Sequence, residues 1–456
     1  MKKNYIIKAT VLAALFASSS AQAAGFALIE QSASGMGNAF AGGSAAAEDA
    51  STVYFNPAGM TYLPDNQLVI AGHAIRPSAD FTNNGSKRAT ATGGLPTPGG
   101  NGGDAGDWAF VPNIFFVKSF NDSIKLGIGI SAPFGLKTEY DNTWVGRYQA
   151  IKSELNTINI NPSIAFKAND QLSLGFGVSA MRADADLTNA VDFGTICAVS
   201  LGGCGTGATF QRRDGFAQVK GDDWGFGFNL GAIFQVSEAT RLGLSYRSQV
   251  HQKLEGQVNF SNVPAAFALS PALTAGFANG SVTAKLTTPD SLSASIFTHL
   301  DDQWDLMGDL TWTHWKTFKD LTVVRTSGVA SGTTLTSIPE NWDNTIRASV
   351  GASYRYNDAL KARIGLAYDE SPVTSAFRTP RIPDSDRYWL SLGANYKLSP
   401  ESSIDAGYTH IFVKDSSVNK VTDVANATLA PILKDTVKGS YSSEVNILSL
   451  QYTHTF

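Results

Sequence analysis

The 456-residue sequence has little charge, two cysteines and no long apolar run after its first residues. Charged residues make up 16 % of the chain, below the roughly 25 % of soluble domains. No later stretch approaches about 18 consecutive apolar residues, which excludes transmembrane helices. The six histidines lie in no metalloprotease or nucleophile-elbow motif, and no nucleotide motif is present. The sequence therefore predicts no enzymatic activity, and nothing in it calls for a cofactor or metal.

Residues 1–23 are typical of a secretory signal peptide. A positive start, a short apolar core and a small-x-small cleavage pattern lie at Lys2, Lys3 and Lys8, at Val11–Ala17, and at Ala21-Gln22-Ala23. Cleavage would leave 433 residues (456 − 23) and lower the formal charge from −4 to −7, because three lysines and no acids are removed. This negative charge argues against a nucleic-acid partner.

Several stretches of the mature chain alternate between apolar and polar residues. The clearest are Ile124–Ser131, Leu360–Asp369, Tyr388–Lys397 and Leu448–Phe456. Apolar-out, polar-in alternation predicts transmembrane β-strands, although a soluble antiparallel sandwich also alternates. Strands that end in aromatic residues and a polar face rich in glycine and serine favour the membrane barrel.

The turns give a strand count. Six short polar breaks alternate with seven long loops, which predicts an all-β fold, a 14-stranded antiparallel transmembrane β-barrel with both ends on the periplasmic side. The short breaks are Asn121–Ser123, Ala168–Asp170, Ser237–Ala239, Asp301–Gln303, Asn357–Asp358 and Ser399–Ser402.

Residues 24–65 precede the first strand and are rich in glycine and alanine. They show neither strict alternation nor a continuous helical stripe. Barrels of sixteen to eighteen strands hold an aqueous channel, and an unplugged barrel of fourteen would leak. We expect residues 24–65 to form a small hatch with short helices that plugs a barrel formed by residues 66–456.

Two local features carry further predictions. Cys197 and Cys204 lie in one long external loop, where an oxidising environment favours a local disulfide over a metal site that lacks two further ligands. Pro133, Phe134 and Gly135 interrupt the alternation that starts at Ile124. Proline cannot donate to a strand ladder, so the strand either ends there or bends inward and leaves a gap whose freed backbone groups meet hatch residues near Asn56.

Several segments resemble the FadL/TodX family of outer-membrane transporters for hydrophobic compounds. The resemblance covers the whole mature chain in the same order. Its segments are AGFALIEQSASGMGNAFAG and AEDASTVYFNPAGM within Ala24–Met60, DWGFGFNLGAIF followed by LGLSYRS at Leu242–Ser248, YDESPV at Tyr368–Val373, and IPDSDRYWLSLG at Ile382–Gly393. The long external loops differ from those of the long-chain fatty acid transporter, so the substrate does not transfer with the fold.

The resemblance implies passive uptake of long-chain fatty acids or similar apolar molecules across the bacterial outer membrane. The route would be an external groove, an internal apolar pocket and a lateral opening at the third-strand kink. A monomer in contact with outer-membrane lipid and lipopolysaccharide is expected. Monoaromatic hydrocarbons as substrate, and a general diffusion porin, remain alternatives.

The resemblance also implies site residues. The hatch or gate would include Ala24, Gly25 and Phe26, and the Asn-Pro-Ala motif of Asn56, Pro57 and Ala58. Arg182 matches a family position near the ligand head group, although its place in the alternation points towards lipid unless a bulge at Ser179–Met181 re-aims it. Lys316 and Lys319 are weaker candidates of the same kind.

Overall fold

The computed structural model describes residues 25–204 and 210–456. The signal peptide and Ala24 lie outside the described residues. Fourteen antiparallel strands close into a barrel, as the turn count predicts. They are β1 Gln67–Asn83, β2 Ala109–Ser119, β3 Ile124–Ser131 with Gly135–Glu139, β4 Lys152–Lys167, β5 Leu172–Asp192, β6 Asp214–Gln235, β7 Thr240–Arg247 with Val250–Ser261, β8 Gly280–Thr288 with Ser291–His299, β9 Trp304–Thr313 with Asp320–Arg325, β10 Thr334–Pro339 with Thr345–Arg355, β11 Leu360–Asp369, β12 Arg387–Lys397, β13 Ser402–Val413 with Ser416–Val421, and β14 Thr436–Thr455.

Closure of the barrel comes from the pairing of its first and last strands. β14 pairs with β1 over the whole length of β1, from Gln67 opposite Thr455 to Asn83 opposite Gly439. Every other strand pairs with its neighbours in chain order. Closure leaves no free sheet edge at the seam, and a free edge is what a strand in lipid cannot tolerate.

The two faces of the strands differ as the alternation predicts. On β14, Leu448 and Leu450 point outward and are 56 % and 58 % exposed, whereas Ser449 and Gln451 point inward and are buried. The outward set forms the apolar band that faces lipid. Near Ser449 and Gln451 the inward face is polar, and the N-terminal segment makes hydrogen bonds there, such as the one from the Ala33 N–H to Gln451 Oε1.

Short turns join strands at the periplasmic end. The Asn121 side-chain oxygen accepts hydrogen bonds from the backbone N–H groups of Ser123 and Ile124. Asn357 makes the same pair of bonds to Ala359 and Leu360. Asparagine stabilises such tight turns because its side chain replaces a backbone acceptor.

Helices are short and lie in the N-terminal segment and in the loops between strands. No helix among the described residues is long and apolar enough to cross a membrane. The α-helices are α1 Ala33–Gly37, α2 Thr52–Phe55, α3 Phe193–Ser200, α4 Pro271–Gly276 and α5 Ala430–Leu433, and 3₁₀ turns span Pro57–Tyr62, Thr90–Thr92, Ala265–Leu269 and Trp315–Thr317.

The N-terminal segment, residues 25–66, lies inside the barrel against inward-facing glycines. A Cβ atom on Gly243 would sit 1.9 Å from the Ser44 oxygen, and one on Gly365 would sit 2.1 Å from the carbonyl carbon of Asn38. Real Cβ contacts are never so short, so only glycine permits this approach. The strand glycines therefore mark where the segment rests on the wall.

Candidate functional site

The third strand breaks at Ala132–Phe134. The ladder between β2 and β3 ends at the pair Ile114 and Ile130, and the outer part of β3 pairs only with β4. From Ser131 to Gly135, β3 advances four residues while β4 advances three, from Asn159 to Asn156. The break is thus a one-residue bulge in β3. The strand does not end there, which removes the first of the two alternatives raised by Pro133.

The first residues of the N-terminal segment meet the backbone groups freed by this break. The Leu28 N–H donates to the Pro133 oxygen at 2.8 Å, and the Gly135 N–H donates to the Phe26 oxygen at 2.8 Å. The Gln31 side chain donates to the Ala132 oxygen at 3.0 Å. Phe26–Gln31 therefore replaces the missing partner strand.

The expectation that residues near Asn56 meet these groups was wrong. The Asn56 amide donates to the oxygens of Ser44, Ala232 and Leu244 at 2.7, 3.1 and 3.4 Å. Ala232 and Leu244 lie on β6 and β7, far along the barrel wall from β3. An asparagine amide contacts strand backbone as expected, but on different strands.

The Asn-Pro-Ala motif forms a fixed turn. Asn56 caps the 3₁₀ turn that starts at Pro57, and its side-chain oxygen accepts from the Ala58 N–H at 3.0 Å. Pro57 suits this first position because it has no N–H to satisfy and its φ is preset. Gly231 admits the motif, since a Cβ there would lie 1.9 Å from Asn56 Oδ1.

An aromatic cluster adjoins the break on the lumen side. Phe26 packs edge-on against Trp315 and Phe318, with ring centroids 4.7 and 5.5 Å apart, and against Phe134 at 5.9 Å. Trp342 closes the group at 5.5 Å from Phe26. Further apolar side chains extend this cluster, namely Leu136, Leu155, Met181, Val250, Leu254, Leu286, Val373 and Ile382.

The periplasmic end of the lumen is held by charges instead. Glu48 of the N-terminal segment pairs with Lys361 and Arg363, both at 2.9 Å, and Arg363 also pairs with Asp405 at 2.6 Å. Burial alone would raise the pKa of Glu48, but the two cations outweigh it and hold that pKa below its usual value. A small polar cavity of about 170 Å³ lies beside these residues.

A cavity of about 800 Å³ opens at the extracellular end, between the loops and strand tops. Its wall is largely apolar and includes Leu187, Leu273, Leu321, Ile338 and Leu429. Leu321 also packs against the aromatic cluster. The cavity and the cluster are therefore contiguous.

One wall of this cavity rests on the disulfide loop. Cys197 and Cys204 form the predicted disulfide, with Cα atoms 5.4 Å apart. Cys197 is buried in α3, where Phe193 and Ile196 pack against Phe267 and other loop residues. The disulfide thus fixes the loop that carries α3.

Arg182, the first head-group candidate, does not point inward. Arg182 is 41 % exposed and pairs with Asp184 and Asp222 at 2.9 and 3.2 Å. The register of β5 against β6 is constant through this region, so no bulge re-aims Arg182. Lys316 and Lys319 lie in the break of β9 with exposed side chains. The inward role considered for Arg182 was therefore wrong, whereas a head-group role for Lys316 and Lys319 stays a prediction.

Some contacts have no simple sequence signal. The Gly25 N–H donates to Asp384 Oδ2 at 2.9 Å, and Arg387 also binds this carboxylate. No group of three or more potential metal ligands occurs within residues 25–204 and 210–456. The site is therefore built from backbone groups, apolar side chains and ion pairs.

Comparisons with known proteins agree over most of the chain. The family described as "Outer membrane protein transport protein (OMPP1/FadL/TodX)" matches residues 14–456. Outer membrane protein P1 of Haemophilus influenzae is 32 % identical over 478 residues, covering 100 % of both chains. The long-chain fatty acid transport protein of Escherichia coli strain K12 is 32 % identical over 437 residues, covering 92 % of this chain and 94 % of its own. The crystal structure of a Pseudomonas aeruginosa FadL homologue has a TM-score of 0.84 at 29 % identity, covering 95 % of this chain and 100 % of that one.

Proposed function

Since the chain belongs to the FadL/TodX family of outer-membrane transport proteins, we propose that it takes up long-chain fatty acids or similar apolar molecules passively. It is an outer-membrane transporter of hydrophobic compounds and not an enzyme. In this proposal residues 24–65 plug the barrel, the protein acts as a monomer, and the solute leaves sideways into the outer leaflet.

The first step is capture in the extracellular cavity. Lipopolysaccharide presents a polar barrier to an apolar solute, whereas the cavity offers an apolar wall that includes Leu187 and Leu273. Transfer of apolar surface out of water is favourable by about 25 cal/mol per Å². Leu321 borders both cavity and aromatic cluster, so the solute can move inward without returning to water.

The observation that carries the lateral step is the break in β3. In lipid an unpaired backbone group costs several kcal/mol. Here Phe26–Gln31 bonds the freed groups of Ala132, Pro133 and Gly135, and the Thr157 hydroxyl bonds both the N–H and the oxygen of Phe134. These backbone groups are therefore hydrogen-bonded even though the ladder between β2 and β3 is open, so the gap does not incur the free-energy cost of unpaired groups. The aromatic cluster stands directly behind it, through Phe26 and Phe134.

An uptake assay tests this function. A Gram-negative host that lacks its own fatty acid transporter would express the chain, and entry of labelled oleate and of a small sugar would be measured in parallel. We expect oleate uptake above the empty-vector control and no sugar permeation. Sugar entry without oleate uptake would instead indicate a general porin, and toluene entry without oleate uptake would indicate an aromatic substrate.

A further inference from the structure

A buried guanidinium lines the extracellular cavity without an acidic partner. Arg381 is 6 % exposed, and no carboxylate among the described residues lies within ion-pair distance of it. An unpaired buried charge is costly, because removal from water is not compensated by an opposite charge. Such a group is a candidate for pairing with an anion that arrives from outside.

The free donors of Arg381 lie on one edge. Nη1 donates to the Lys152 oxygen at 3.1 Å and to Ser153 Oγ at 3.0 Å. Nε has no partner, and Nη2 has one long contact of 3.5 Å to Asn189 Oδ1. The Nε and Nη2 edge is the one that binds a carboxylate through two parallel hydrogen bonds.

The nearby acids are occupied or neutral. Asp423 pairs with Lys420 at 2.9 Å, and Asp435 accepts from the Ala89 N–H at 2.9 Å. Burial raises the pKa of Glu340 to about 8, so this acid is protonated at neutral pH and does not balance Arg381. Burial lowers the pKa of Arg381 only to about 10, so the guanidinium stays charged.

The second arginine of the cavity serves as a contrast. Arg325 donates to the oxygens of Ala278 and Gly276 at 2.8 and 2.7 Å, and its guanidinium lies over the Phe260 ring. These bonds anchor the loop that follows β7. Arg381 retains the free edge, and the next residue, Ile382, belongs to the aromatic cluster.

We propose that Arg381 is the head-group residue of this transporter, which binds the carboxylate of a singly charged amphiphile while its apolar tail lies towards Leu321 and Ile382. This inference rests on the proposed function and narrows it to acids over neutral hydrocarbons. It assigns the role that the sequence suggested for Arg182 to a loop residue on the inner side of the wall.

A pair of ligands with equal chains tests the assignment. Wild-type protein in lipid nanodiscs would be titrated with dodecanoate and with dodecan-1-ol at about pH 7, where the acid is ionised and Glu340 is still protonated. We expect wild type to bind dodecanoate at least about tenfold more tightly than the alcohol. Arg381→Gln should lose about tenfold or more in dodecanoate affinity and keep its dodecanol affinity within about twofold.

Control variants separate this role from damage to the fold. Arg182→Gln should bind both ligands like wild type, and Arg381→Lys should recover part of the dodecanoate affinity because it keeps the charge but not the two-donor edge. All variants should keep the heat-modifiable migration of a folded barrel. Equal dodecanoate affinity of wild type and Arg381→Gln would overturn the assignment but leave the uptake function intact, as would equal loss of both ligands in Arg381→Gln. Failure of wild type to bind either ligand would overturn both.

Discussion

The two ends of the lumen shift the pKa of a buried carboxyl group in opposite directions. At the periplasmic end Glu48 is ionised between Lys361 and Arg363, and its pKa lies below the usual value. At the extracellular end Glu340 is buried beside Trp342, and its pKa rises to about 8. One end is closed by ion pairs, and the other holds an open cavity whose wall is largely apolar.

This difference gives the lumen a direction. An apolar solute that enters the outer cavity meets the aromatic cluster around Phe26, whereas further inward it meets the ion pairs of Glu48 and Arg363. Passage through these ion pairs would require charged groups to lose their partners, which costs several kcal/mol. Under the proposed function the break in β3 is the exit with the lower free energy.

Among the changes that test this difference between the two ends, Arg363→Met should have the largest effect on the free energy of unfolding. The change leaves Glu48 and Asp405 without their shared cation, and we expect a loss of about 3–5 kcal/mol in the free energy of unfolding. Denaturant unfolding followed by heat-modifiable migration would measure it. Lys361→Met is the control and should cost less, because Lys361 pairs with Glu48 alone and is more exposed. Equal costs would contradict the role given to the shared pair.

The Asn56 contacts predict a smaller effect. Asn56→Asp keeps the acceptor for the Ala58 N–H but removes the donor to the oxygens of Ser44 in the hatch and of Ala232 and Leu244 in the wall. We expect a cost of about 1–3 kcal/mol in hatch stability, seen as increased ion leakage in planar bilayers, with the amount of folded barrel unchanged. Wild-type conductance in this variant would show that the contact to the wall is dispensable.

The pH dependence should have opposite signs at the two ends. The folded pKa of Glu48 is lowered, so its stabilisation is present above the unfolded value of 4.5 and is lost as the pH falls towards the folded value. The folded pKa of Glu340 is raised from 4.5 to about 8, so its stabilisation is full below 4.5 and is lost as the pH rises through 8.

The measurement is the free energy of unfolding of wild type and Glu340→Gln between about pH 5 and pH 8, the interval between the unfolded and folded pKa values of Glu340. Wild type should lose at most about 1.4 kcal/mol per pH unit through this single proton. Glu340→Gln should show a smaller loss over the same interval. Identical losses would mean that folding does not raise the pKa of Glu340.

Loss of the disulfide should have the smallest effect on the barrel. Paired Cys197→Ser and Cys204→Ser substitutions open a loop of short span that lies outside the strand ladders, and we therefore expect little change in the free energy of unfolding of the barrel. Dodecanoate affinity should fall more visibly, because α3 supports the cavity wall. A large drop in barrel stability with unchanged affinity would reverse this assignment.

The sequence was sufficient for the barrel and insufficient for its contacts. Period-2 alternation predicts the faces of β14, and Asn121 predicts its turn, because both depend on neighbouring residues. The pairing of Phe26 and Leu28 with the break in β3 joins segments about one hundred residues apart, and no local pattern marks it. The alternation of side chains along β5 already predicts that Arg182 points out of the barrel, because only a bulge could turn it inward.

Asp384 illustrates the same limit. The cluster Asp384-Ser385-Asp386 reads as a solvated loop, yet Asp384 is 3 % exposed and binds the Gly25 N–H. The acid is buried because the N-terminal segment folds back on the loop, and that event depends on the whole barrel. No sequence pattern marks Arg381 either, because only the folded loop leaves its guanidinium without an acidic partner.

Closing the wall at β3 separates a lateral exit from any other route through the barrel. Because β3 carries one residue more than β4 at the break, replacing Ala132-Pro133-Phe134 by Val-Thr should remove both the bulge and the proline and extend pairing towards β2. Phe134→Val alone, which keeps Pro133 and the bulge, is the matched control for the lost aromatic ring. Oleate uptake by cells would be measured together with dodecanoate binding and heat-modifiable migration. We expect the closed-wall variant to fold and to bind dodecanoate while its uptake falls to the empty-vector level, and we expect Phe134→Val to retain most uptake. Wild-type uptake by the closed-wall variant would show that the solute does not leave through the break in β3.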